Sequence, residues 1–144
     1  MTELEQLFSA CNIAAMVGWL LLVVAPHHRT PRIVATVVIP LLLATVYLVL
    51  IATSFFGAEG GFGSLRDVAR LFDQPVLLLA GWVHYLAFDL FIGAWETRDA
   101  RRAGVPHLMV VPCLILTFMF GPIGLLVYLA LRAWRARTLD LATS

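Results

Sequence analysis

"PVLLLAGWVHYLAFDLFIGAWETRDARR" (residues 75–102) decides how this chain folds. From Pro75 to about Trp95 the side chains are almost all apolar, enough to provide the ~20 residues that carry a helix across a ~30 Å hydrocarbon core. No period-two alternation of the membrane-barrel kind interrupts it. The run therefore reads as a spanning helix, and Pro75 suits its first turn, where a missing N–H costs nothing. Two ionisable residues, His84 and Asp89, lie inside it, and Glu96, Arg98, Asp99, Arg101 and Arg102 close it.

Working outward, the rest of the chain has the same character. Of 144 residues, 61% are hydrophobic and only 13% are charged, about half the share found in soluble domains. Spans are expected over about residues 4–25, 33–56, 75–95 and 107–134, giving an all-α, integral membrane four-helix bundle in a single domain, 1–144. Glu3 and Glu5 stand where a signal peptide would carry basic residues, so the first span is expected to be retained. "PHHRTPR" (26–32) makes the first turn, and Pro40 should kink the second span. Pro112 and "GPIG" (121–124) interrupt the fourth.

Between spans two and three, Gly57, Gly60, Gly61 and Gly63 make a loop. A short helix over about 64–73 should follow, capped by Ser64 and Asp67. Leu65, Val68, Ala69 and Phe72 share one face of it, which predicts a helix lying flat at the membrane interface.

Composition excludes several functions. The net charge of +1 offers no footprint for nucleic acid. All ten basic residues are arginine, which points to a GC-rich bacterial genome. Cys11 and Cys113 fall inside spans, so a secreted disulfide framework is not implied. No HxxxH or HxxH spacing occurs, and neither metal nor cofactor is expected. With four spans the arginines divide equally: Arg66, Arg70, Arg132, Arg135 and Arg137 on the terminal side, Arg29, Arg32, Arg98, Arg101 and Arg102 on the other. Orientation is then left open.

An aspartate at the centre of a span costs about 2.5–3.5 kcal/mol on the insertion scale, so Asp89 is the first functional candidate. On a helix, Trp82, Tyr85, Asp89, Gly93 and Glu96 fall on one stripe, whereas His84 points about 140° away with Phe88, Phe91 and Trp95. His84 and Asp89 are thus not expected to pair with each other, and a structural partner for Asp89 would be Asn12 or a threonine of span two. The terminal charges, Glu96 with Arg101 and Arg98 with Arg102, are spaced for part of an ion-pair network.

At these residues the chain resembles a known family. "GWVHYLAFDLF", "RDARR", "PH" before span four, "VPCL" and "FGPIGLL", all within about residues 57–131, are similar to the small four-span proteins related to plant neoxanthin synthase, known from abscisic-acid-deficient plants. The resemblance implies a role in carotenoid metabolism, with a carotenoid or isoprenoid lipid as the hydrophobic partner. Opening a 5,6-epoxide to an allene needs an acid at oxygen, a base at the neighbouring polyene carbon and no redox partner. A carboxyl group held away from water can supply the acid. Asp89 or Glu96 would be the acid and His84 the base, with Trp82, Tyr85, Phe88 and Trp95, joined by Asn12 and His107, contacting substrate. The alternative is a non-enzymatic carotenoid or lipid binder, or an assembly partner of a pigment enzyme. Self-association remains open under both readings.

Overall fold

A computed structural model describes residues 2–136, and Arg137 of the arginine count lies outside them. The described residues form helices and no strand: α1 (Glu3–Val24), α2 (Arg29–Ile33), a π-helical turn (Val34–Val38), α3 (Ile39–Ser54), α4 (Leu65–Phe72), α5 (Pro75–Arg102), α6 (His107–Phe120) and α7 (Pro122–Ala136). Three stretches are long and apolar enough to cross a membrane: Glu3–Val24, the continuous Arg29–Ser54, and Pro75–Arg102.

The helices begin where local chemistry allows. At Thr2 a capping box starts α1: its hydroxyl accepts from Glu5 N, and the Glu5 carboxylate accepts from Thr2 N at 2.9 Å. Ser64 caps α4 through Asp67 N as expected. Pro40 has no N–H to offer the Thr36 carbonyl one turn back, and the backbone widens to a π turn just before it, with Ile39 N bonding Val34 O. The expected kink is therefore a bulge.

Helix α5 is the axis of the bundle. Helix α1 runs parallel to it and closely against it, because small residues stand at the contact: a Cβ on Gly18 would lie 2.6 Å from Leu90, and one on Gly93 would lie 2.5 Å from the Trp19 ring. Helix α3 packs along the other side of α5, with Tyr47 facing His84.

The expected fourth span is not one helix. Helix α6 descends beside α5 and stops at Gly121, whose φ of 48° lies in the left-handed region that favours glycine. A Cβ at Gly121 would stand 3.0 Å from the Asp89 carboxylate, which places this turn at the middle of the 28-residue α5. Helix α7 then returns. Tyr128 donates to Asp99, and Arg132 bonds the same carboxylate at 2.6 Å, ten residues or about 15 Å back along α5 from Asp89. Gly124 makes the reversal possible, since any Cβ there would collide with the Thr117 backbone at 2.0 Å. Helices α6 and α7 are thus an antiparallel hairpin that reaches halfway down α5.

Two smaller expectations also change. In α4, Leu71 is buried and Leu65 is 86% exposed, so the inward face is rotated from the predicted Leu65–Val68–Ala69–Phe72 stripe. Helix α5 continues past Trp95 to Arg102, with Glu96 and Asp99 buried.

Candidate functional site

The stripe predicted along α5 faces α1 and the hairpin. At its lower end Trp82 donates its indole N–H to Asn12 of α1 at 3.1 Å and packs against Phe8 and Tyr85. Tyr85 donates its hydroxyl to the Phe118 carbonyl at 2.8 Å, tying α5 to the last turn of α6. One turn further on, Asp89 sits beneath Gly121. Its Oδ2 is buried and has no hydrogen-bond partner, an arrangement native proteins rarely tolerate without a use. Glu96, two turns above, is fully buried and accepts the Thr117 hydroxyl, its oxygens lying 2.9 and 3.2 Å from Thr117 Oγ1.

The cavity at the lower end of this stripe is largely apolar. It measures about 470 Å³, is lined chiefly by Leu4, Phe8, Phe72, Leu78, Leu79 and Trp82, and opens between α1, α4 and α5. Trp82 is its wall, and Tyr85 and Asp89 follow at one-turn intervals on the same face. The cavity ends at Trp82, and the stripe continues from there through Tyr85 to a carboxyl group whose Oδ2 makes no hydrogen bond. Such a group can give a proton to, or hydrogen-bond, a polar atom delivered by an otherwise apolar molecule.

The other candidates lie elsewhere. His84 is on the opposite side of α5, stacked on Phe88 at 4.6 Å and near Tyr47 at 5.4 Å, lining a separate cavity under α4. Helical phase separates it from Asp89, as the sequence indicates, and no distortion of α5 brings them together. Phe88 is 58% exposed on that outer face. Trp95 packs edge-on against Tyr128 and faces a groove near the arginines. His107 reaches back to the Val23 carbonyl, with 2.9 Å between Nε2 and the oxygen, and packs beside His27 at the far end of the bundle. Of the nine candidates, the structure gathers Asn12, Trp82, Tyr85, Asp89 and Glu96.

The predicted charge network does not form. Glu96 turns inward to Thr117, and Asp99 takes Arg132 and Tyr128, so Arg98, Arg101 and Arg102 keep no carboxylate partner among the described residues. Asn12 bonds Trp82 instead of Asp89, while Thr45 and Thr53 return their hydroxyls to their own helix. Sequence reasoning missed Thr117, Gly121, Tyr128 and Arg132. Their signal is spacing: Gly121 and Gly124 flank a proline, and Tyr128 and Arg132 are one helical turn apart on α7.

Among the described residues, no group of three His, Cys, Asp or Glu side chains is placed to hold a metal ion. Cys11 and Cys113 are free and buried.

No curated protein and no solved structure matches the chain. A family model described as ABA DEFICIENT 4-like does match, over residues 6–128, a stretch that includes the whole Asn12–Trp82–Tyr85–Asp89–Glu96 stripe and the hairpin turn over it. The chain belongs to the ABA DEFICIENT 4-like family.

Proposed function

We propose that this chain binds an apolar polyene of the carotenoid class from the membrane and isomerises it by proton transfer at Asp89. The observation that carries the reading is the partnerless, buried Asp89 Oδ2 under Gly121, two turns along α5 from Trp82, which walls the apolar cavity. Family membership supports the neoxanthin synthase-related, carotenoid-linked context. In this scheme Asp89 gives its proton to an epoxide oxygen as the C–O bond breaks, and a base removes a proton from the adjacent polyene carbon. Oxidation level is unchanged. Because His84 faces away, the base role passes to Glu96, the other carboxyl group on the stripe.

One observation favours the second reading, a carotenoid or lipid binder without chemistry. Glu96 is fully buried and already engaged by Thr117, so Asp89 would then act only as a hydrogen-bonding anchor. Expression in a carotenoid-producing bacterium, with chromatography of total pigment and of the purified protein, separates the two. A new isomer of unchanged mass is expected; an unaltered pigment that co-purifies would support the binder, and the absence of both would overturn the carotenoid reading.

The membrane placement that suits the geometry has three spans, α1, α2–α3 and α5, plus a hairpin inserted to mid-depth. That arrangement replaces four spans, and it moves Arg132 and Arg135 to the end of the bundle that holds Arg29, Arg32, Arg98, Arg101 and Arg102. Only Arg66 and Arg70 remain at the other end. The bias then orients the arginine-rich end to the cytoplasm. Helix α4 lies at the opposite interface, where Phe56, Phe62 and Leu65 are 78–89% exposed and suited to the headgroup boundary. A bacterial inner membrane is the proposed location.

A further inference from the structure

At the arginine-rich end a second cavity, of about 430 Å³, opens between the α2–π-turn segment and α5. Its outer rim carries Arg32 from α2 and Arg98, Arg101 and Arg102 from the last turns of α5, and no acidic side chain lines it. None of these four arginines forms an ion pair among the described residues, because the nearby carboxylates, Glu96 and Asp99, are committed to Thr117, Tyr128 and Arg132. The inner wall is apolar, made by Leu22, Val37, Phe91, Ala94 and Trp95. The π turn at Val34–Val38 supplies Thr36 and Val37 to this wall, and the widened backbone is there because Pro40 follows.

We infer that this groove binds a phosphate-headed lipid, its phosphate held by Arg32, Arg98, Arg101 and Arg102 and its chain laid along Val37, Phe91, Ala94 and Trp95. Charge decides the headgroup. Four guanidinium groups with no ion-pair partner among the described residues call for more than one negative charge, and a phosphate monoester carries about −1.5 to −2 near neutral pH. Guanidinium forks match phosphate oxygens bidentately. Charges that only set membrane orientation need no cavity, yet these four arginines converge on one from two separate helices. The lipid chain is required by the wall: a free phosphate would leave the apolar floor, and Trp95 with it, uncovered.

The test uses the full chain purified in detergent, titrated with phosphatidic acid and followed by native mass spectrometry. One tightly retained phosphatidic acid is expected, with phosphatidylcholine held at least about tenfold more weakly. The Arg98→Gln, Arg101→Gln double variant should lose about tenfold or more in phosphatidic acid affinity, as should Arg32→Gln with Arg102→Gln. The Arg66→Gln, Arg70→Gln double variant at the other end should retain it. Ala94→Trp, which fills the wall, should weaken lipid binding while leaving the arginines in place. Equal retention of phosphatidic acid by all variants would overturn the site. Inorganic phosphate that displaces the lipid at matching concentration would overturn the lipid reading in favour of a free-anion site.

Discussion

Replacing Asp89 by asparagine is expected to cut pigment conversion by a factor of about 10²–10⁴, the usual contribution of a positioned acid, without loss of membrane insertion. The substitution is nearly isosteric, so it should keep the close fit beneath Gly121. It removes only the capacity to give up a proton. Asp89→Glu should retain a measurable fraction, since the acid is kept and displaced by one methylene. The measurement is conversion per unit of folded, detergent-extracted protein in the pigment-producing host. Full conversion by Asp89→Asn would end the acid assignment. Unchanged pigment binding with lost conversion would distinguish chemistry from anchoring, because an amide still offers hydrogen bonds to a bound polar atom.

The largest stability effect should come from the clasp that holds α7 against α5. Asp99 and Arg132 are buried, 2.6 Å apart, with Tyr128 donating to the same carboxylate. Breaking a buried pair by removing one partner leaves an uncompensated charge and costs about 3–5 kcal/mol. Asp99→Leu and Arg132→Met are each expected to lower thermal stability by that order, and α7 should become protease-sensitive. Replacing the set together, Asp99→Leu, Tyr128→Phe and Arg132→Met, should recover most of the loss, because three groups that satisfy one another are then removed at once. Unfolding curves of the purified variants in one detergent check both statements. If each single variant matched the parent, the clasp would not be what fixes the hairpin.

Much of this structure was legible in the chain because apolar runs and helical phase are local properties. The length of α1, the start of α5 at Pro75, the Ser64 cap and the grouping of Trp82, Tyr85, Asp89 and Glu96 all follow from spacing within one helix. What was not legible depends on distant partners. "FGPIGLL" reads as an interruption within a single span, since hydropathy does not register direction. The reversal comes from the positive φ of Gly121 and from the contact of Gly124 with the Thr117 backbone, both visible only once α6 and α7 are packed. Asp99 reads as one of the charges that close the span, because arginines stand beside it in sequence. Its actual partner is 33 residues away. The balance of arginines between the two sides hangs on the same turn, which decides where Arg132 and Arg135 fall.

The half-depth hairpin supports the rest of the account, for it puts Gly121 over Asp89 and sets the arginine-rich end apart. Its most direct test is the sidedness of single cysteines introduced at Thr2 and at Trp134, with Cys11 and Cys113 replaced by alanine and serine, and labelled in intact cells with a membrane-impermeant maleimide. Labelling of Thr2→Cys in intact cells, with Trp134→Cys labelled only after permeabilisation, is the predicted result. Labelling of both positions from the same side would restore four full spans and contradict the hairpin.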